Sequence, residues 1–274
     1  MDDTDTLTET FGTEHPILGM VHLPALPGAP DYSGSREAIR TRMLEDAAAL
    51  EDGGVDGIVV ENFGDSPFFP DEVPTHTVAE MAALATTLTA AVDVPVGINV
   101  LRNDAEAALS IAAAAGAAFV RVNVHVGSAA TDQGIVESRA HETVRLRDRL
   151  EADVAILADV HVKHATPLGE AGLEQTAIET AARGRADGLI VSGSGTGQVT
   201  PLEDVERVAE AVAALEREVP VFVGSGVTPD SIGDCFAVGA DGAIVGTALK
   251  VDGETTNRVS SEKVRALLEA AGRA

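Results

Sequence analysis

The sequence predicts a single-domain α/β protein, a closed (β/α)8 TIM barrel, on three observations. The chain has 274 residues, close to the roughly 250 residues typical of such barrels. Hydrophobic residues make up 45% of it, enough for a large core without disulfides or metals. Eight short β-rich segments alternate with Ala-rich helical segments. That alternation implies parallel βαβ units, and eight such units favour a closed barrel over an open sheet.

The predicted strands are short runs rich in Val, Ile and other apolar residues. In order they are ILGMVHL from Ile17, GIVVEN from Gly57, PVGINVL from Pro95, FVRVNVHV from Phe119, AILADVHV from Ala155, GLIVSG from Gly188, VFVGSGV from Val221 and GAIVGTAL from Gly242. Before four of them, a glycine is expected to end the preceding helix in a left-handed conformation, at Gly54, Gly116, Gly184 and Gly239. We assign residues 15–274 to the barrel and residues 1–14 to a disordered acidic tail.

Charge and composition exclude several classes of function. The chain has 44 acidic and 19 basic residues, a formal charge of −25, and the carboxylates are spread along its whole length. This pattern is typical of a salt-adapted, haloarchaeal-like source and argues against a nucleic-acid partner. The N-terminus lacks an export signal, and no apolar run reaches the roughly 18 to 20 residues of a membrane span, so we expect a cytoplasmic protein. Cys235, the single cysteine, is expected to be a small buried residue.

Polar residues alternate with apolar ones near the ends of several predicted strands. Asp159, His161 and Lys163 share one face of the fifth strand, and Arg121, Asn123 and His125 share one face of the fourth. Barrel strands bury both faces, so ionisable residues are expected to point into the polar mouth at the strands' C-terminal ends. Two further candidates lie near the ends of the second and third strands, Glu61 and Asn99.

Three interpretations of this polar mouth remain open. Only three lysines occur in the chain, and a desolvated Lys163 could form a Schiff base or hold a substrate anion. Alternatively, Glu61, Asp159 and His161 could ligate a divalent cation such as Mg²⁺ or Mn²⁺. A third interpretation is an internal ion-pair network that only fixes the packing.

Glycine-rich segments follow the last three predicted strands. Such segments place backbone N–H groups where barrels commonly hold phosphate, so a phosphate-bearing small molecule is the expected partner. The residues concerned are Ser194, Gly195, Thr196, Gly197, Gly224, Ser225, Gly226, Gly246 and Thr247. Long loops after the first, second and fourth strands, at 24–35, 63–77 and 127–138, are candidate substrate contacts.

The chain resembles the BtpA/SgcQ family from Pro16 to about Leu268. The segments that carry the resemblance include GMVHLPALPGAPDY, GVDGIVVENFGDSPF, ADVHVKHATPL, SGSGTG and ADGAIVGTALK. It implies a TIM barrel related to a cyanobacterial factor for photosystem I biogenesis and to a protein associated with sugar catabolism. Members are often compared with phosphoribosylanthranilate isomerase, whose pattern has a cysteine base at the end of strand one. This chain has His22 there, so we take that comparison as one of fold.

Two classes of function follow from these observations. The first is an enzyme, a lyase or isomerase that acts on a phosphorylated sugar by aldol-type cleavage or isomerisation. The second is a non-catalytic assembly or regulatory factor that kept the barrel. The sequence leaves homo-oligomer formation open.

Overall fold

Eight parallel strands close into a barrel in the computed structural model, which describes residues 10–273. Around the barrel the hydrogen-bonded order is β1, β2, β3, β4, β7, β9, β10 and β11. These strands are β1 (Ile17–His22), β2 (Gly57–Glu61), β3 (Val96–Asn99), β4 (Phe119–Val122), β7 (Ala155–Asp159), β9 (Gly188–Val191), β10 (Val221–Val223) and β11 (Gly242–Val245). The predicted TIM barrel is confirmed.

Helices connect the barrel strands on the outside. They are α1 (Arg36–Gly53), α2 (Thr75–Thr89), α3 (Ala105–Ala115), α4 (Ala140–Leu150), α5 (Leu173–Ile178), α6 (Leu202–Val212), α7 (Ile232–Ala237) and α8 (Ser261–Ala270). None of the helices in residues 10–273 is long and apolar enough to cross a membrane.

Three of the four predicted glycine joints have the expected conformation. The φ angles are 97° at Gly54, 71° at Gly116 and 97° at Gly239. The prediction for Gly184 is wrong, since its φ is −72°. A π-helical turn, Glu179–Arg183, follows α5, and the next residue, Arg185, takes the left-handed conformation with φ 56°.

Three shorter strands form a separate antiparallel sheet near the ends of β4 and β7. These strands are β5 (Ser128–Thr131), β6 (Gly134–Glu137) and β8 (Ala165–Leu168), in the order β6, β5, β8. The predicted 127–138 loop therefore forms a hairpin, which pairs with a strand from the following βα connection.

Apolar side chains fill the barrel interior below its polar mouth. The inner cluster contains Leu18, Met20, Val59, Phe119, Leu157, Ile190, Phe222 and Ile244. The Phe11 ring packs against it, with ring centroids 5.4 Å from Phe119 and 6.4 Å from Phe222. Phe11 belongs to the predicted disordered tail, and the prediction is wrong at this residue because its ring packs against the interior of the barrel. Residues 1–9 lie outside the described residues. Cys235 is buried in α7, as predicted.

Candidate functional site

An ion pair between β4 and β7 organises the centre of the barrel mouth. Arg121 donates two hydrogen bonds to Asp159, with Nε–Oδ2 3.0 Å and Nη2–Oδ1 2.9 Å. Asn123 Nδ2 and Ser192 Oγ donate to the same carboxylate at 2.9 and 3.3 Å. Burial lowers the pKa of Arg121, but Asp159 outweighs it and the net shift is upward. Four protein donors hold the Asp159 carboxylate, so it fixes the geometry of the mouth.

Lys163 reaches the mouth from the turn between β7 and β8. Its backbone is held on two sides: Arg102 donates to the Lys163 carbonyl, and the next N–H, of His164, donates to Ser194 O at 3.0 Å. Burial and the nearby Arg121 lower the pKa of Lys163 to about 8, against the opposing effect of Glu61 and Asp159. The amine therefore loses its proton at a lower pH than an ordinary lysine, in a cavity that Arg121 also lines.

The end of β2 places a buried carboxylate near this lysine. Glu61 is 5% exposed, and burial raises its pKa against the opposing charges of Lys163, Arg121 and Arg102. Glu61 Oε1 lies 4.0 Å from Nε2 of His22, at the end of β1. Burial, followed by the positive charges of Lys250 and Lys163, lowers the pKa of His22 well below its ordinary value. The raised pKa of Glu61 suits proton transfer by this carboxyl, whereas His22 stays neutral.

Two asparagines complete the polar centre. Asn99, at the end of β3, donates to Arg121 O at 3.0 Å and to Asn123 Oδ1 at 3.1 Å. The Asn99 Oδ1 atom is buried with no hydrogen-bond partner within residues 10–273. The structure thus brings together Glu61, Asn99, Arg121, Asn123 and Asp159, and within the described residues it leaves one buried amide oxygen without a hydrogen-bond partner.

His161 does not line the cavity that contains Lys163, so the predicted shared face of Asp159, His161 and Lys163 does not form. Strand β7 ends at Asp159, where the alternation ceases, and His161 lines a second cavity of about 80 Å³ together with Asn123 and Asp159. Its pKa is lowered by burial, and the charge that most offsets this is Asp204 on α6. In the described part of the chain, no group of three His, Cys, Asp or Glu side chains could hold a metal ion. The predicted metal set of Glu61, Asp159 and His161 is therefore not assembled.

The glycine-rich segments line one side of a cavity of about 150 Å³ at the barrel mouth. Seven of the nine predicted residues line it: Thr196, Gly197, Gly224, Ser225, Gly226, Gly246 and Thr247. His22, Arg121 and Lys163 line it as well. Ser225 links two of the segments, since its Oγ accepts from Gly193 N at 2.8 Å.

Ser194 and Gly195 are not among the residues that line this cavity. The Ser194 hydroxyl donates to Gln198 Oε1 at 2.5 Å, and Gln198 N donates to Gly195 O at 3.0 Å. Both residues therefore close a turn of the β9 segment, which corrects their predicted role.

Sequence reasoning missed three buried groups at the mouth, namely His22, Arg102 and Lys250. Lys250 is fully buried, with Nζ 3.1 Å from Met20 O and 3.7 Å from Asp46 Oδ2. Burial lowers its pKa to about 8. The scarcity of lysine was a signal for Lys250, but its partner Met20 lies 230 residues away in sequence, so no local pattern indicates this contact.

Sequence comparison places the chain among known proteins. The profile of the BtpA family matches residues 13–273. The chain belongs to the BtpA family. It is 46% identical over 264 residues to the Photosystem I biogenesis protein BtpA of Synechocystis sp., covering 96% of this chain and 90% of that protein.

Solved structures outside the BtpA family share the barrel. Thiamine phosphate pyrophosphorylase from Pyrococcus furiosus matches with a TM-score of 0.57 at 13% identity, covering 94% of this chain and 96% of that one. Phosphoribosyl anthranilate isomerase from Thermus thermophilus matches with a TM-score of 0.56 at 13% identity, covering 94% and 98%. At such low identity these likenesses establish the fold alone.

Proposed function

We propose that this BtpA-family chain is an enzyme that acts on a phosphorylated sugar or a similar phosphate-bearing small molecule. One observation carries the proposal: a single cavity is lined by both the glycine-rich backbone and Lys163. The glycine-rich backbone suits an anion, and Lys163 offers a nucleophile with the Glu61 carboxylate nearby as an acid or base.

The phosphate end of the proposed substrate would lie against the segments that follow β9, β10 and β11. In TIM barrels the loops after the last strands often bind phosphate. Gly197, Gly226 and Gly246 are among the residues that line the cavity, so their backbone would contact the phosphate. The names of the two structural neighbours include a phosphate or a phosphoribosyl group, which supports this class of ligand.

The reacting end would lie beside Lys163. With a pKa of about 8, about a tenth of the amine is unprotonated at pH 7. That fraction can add to a substrate carbonyl and, with loss of water, form a Schiff base. Glu61 can then accept a hydroxyl proton as a carbon–carbon bond breaks, or move a proton in an isomerisation. The charges of Arg121 and Asp159 act on the pKa values of both groups.

A phosphosugar panel tests this proposal. Purified protein would be assayed for cleavage and isomerisation with Mg²⁺, with Mn²⁺ and with a chelator, and borohydride would trap any Schiff base. We expect turnover and a borohydride adduct on Lys163, both lost in Lys163→Met and retained in the control Lys263→Met. Turnover without an adduct that a chelator abolishes would favour metal chemistry and contradict the Schiff base.

A non-catalytic assembly factor is the second candidate. The observation that favours it is the 46% identity to a protein named for photosystem I biogenesis. This candidate predicts that the wild-type protein converts no compound of the panel, whether or not it binds one. It also predicts that Lys163→Met and the wild type give the same result in this assay.

We further propose that the excess of acidic residues, 44 against 19 basic ones, adapts the surface to high salt. Hydrated carboxylates keep a protein soluble there, and dissolved ions screen their mutual repulsion.

A further inference from the structure

The side chain of His22 occupies a fixed position between the glycine-rich side of the mouth and Glu61. It is 7% exposed and lines the 150 Å³ cavity. The Phe63 ring packs against the imidazole edge-on, with centroids 4.9 Å apart. A Cβ on Gly246 would lie 2.9 Å from His22 Cε1, so the imidazole uses the space that this glycine leaves.

The hydrogen-bonding capacity of His22 is unused. Its Nδ1 is buried without a hydrogen-bond partner in the described part of the chain. Its Nε2 lies 4.0 Å from Glu61 Oε1, which is too far for a direct hydrogen bond. One oxygen atom placed about 2.8 Å from both atoms would make an angle of about 90° between them. The gap therefore matches a single bridging oxygen.

Burial keeps the His22 imidazole neutral, and nearby positive charges add to this effect. Burial is the largest cause that lowers its pKa, followed by the charges of Lys250, Lys163 and Arg121. Lys250 Nζ also donates to Met20 O, which fixes the end of β1 two residues before the imidazole. A neutral imidazole can donate from Nε2 to a substrate oxygen.

We propose that His22 is a further catalytic residue, which donates its Nε2–H to a substrate hydroxyl oxygen that Glu61 also contacts. This inference rests on the proposed function. When the hydroxyl loses its proton, the proton passes to the Glu61 carboxylate, and the electron pair stays on the oxygen. The Nε2–H of His22 then stabilises the developing negative charge, as a donor in an oxyanion hole does.

Three variants of the full chain test this role. His22→Asn removes the ring, Gly246→Ala pushes a methyl group against it, and His141→Asn, on an exposed helix face, is the matched control. Inorganic phosphate Kd, and kcat and KM for any phosphosugar that the wild type converts, would be measured for each. If His22→Asn does not fold, His22→Gln replaces it.

We expect kcat to fall by about 100-fold in His22→Asn, with phosphate Kd within about twofold of wild type and KM little changed. Gly246→Ala should lower kcat as well, and His141→Asn should match wild type. Wild-type kcat in folded His22→Asn would overturn the role of His22 and leave the proposed function standing. A wild-type protein that converts no phosphosugar would overturn the proposed function itself, and the inference with it.

Discussion

Replacing Lys163 with Met should make the protein more stable. Burial lowers the pKa of this lysine from its ordinary 10.5 to about 8, and each unit is worth about 1.4 kcal/mol. Folding therefore carries a penalty of up to about 3 kcal/mol at pH 7, and partial contact with solvent reduces it to about 1–3 kcal/mol. Met keeps the apolar stem and removes the charge. Asp159 keeps its donors Arg121 and Asn123, so the substitution leaves no carboxylate without a partner.

The dependence on pH identifies the cause of this stabilisation. Below pH 8 the lysine is charged in both the folded and the unfolded state, so the whole penalty is present. Between pH 8 and pH 10.5 the folded state releases its proton first, and the penalty disappears as pH rises. Lys250 has a similar shift but is present in both proteins, so its contribution cancels.

Thermal melts of wild type, Lys163→Met and the control Lys263→Met at pH 7 and at about pH 10 measure this effect. At pH 7 the Lys163→Met midpoint should be higher by roughly 2–10 °C, and the difference should shrink at the higher pH. A lower midpoint at pH 7 would show that the lysine is a structural partner. A difference that stays the same at both pH values would show that its charge is not the cause.

Three further outcomes follow from the structure. Arg121→Met should lower the free energy of unfolding by about 3–5 kcal/mol, since it strands the Asp159 carboxylate. In urea melts, the free energy of unfolding should fall less in the double variant Arg121→Met/Asp159→Asn than in Arg121→Met alone. Equal losses in the two variants would refute the argument. Gly226→Ala should melt earlier, because its Cβ would lie 2.4 Å from backbone atoms of Gln198 and Val199 at a φ of 69°; an unchanged midpoint would contradict this. Because the formal charge is −25, the midpoint of thermal unfolding should also fall as the salt concentration is lowered. A midpoint that does not depend on salt would contradict the proposed adaptation of the surface to high salt.

Local pattern predicted the barrel and part of its mouth because both depend on short-range periodicity. Arg121 and Asn123 both donate to Asp159, because the alternation of β4 continues one residue beyond its last residue, Val122. The same reasoning failed on the next strand, where β7 stops at Asp159 and His161 takes a different direction. A sequence pattern shows the period of a strand better than the residue at which it ends.

Contacts between distant parts of the chain were beyond the reach of sequence reasoning. The sheet beside the mouth joins Ser128 to Leu168, although each segment alone has the composition of a loop. Lys250 meets Met20, and the backbone at Lys163 is held by Arg102 from another βα loop. His22 is a candidate catalytic residue because Glu61 and Gly246, which are distant from it in sequence, lie on either side of it in the fold.

The most direct test of the central claim is a crystal structure of the protein with a bound phosphosugar. We predict that the phosphate contacts the backbone N–H groups at Gly197, Gly226 and Gly246, and that the carbon chain reaches Lys163. The account would be contradicted by ligand density in the cavity that His161 lines. It would also be contradicted by a ligand whose phosphate lies beside Lys163 and whose sugar lies against the glycines.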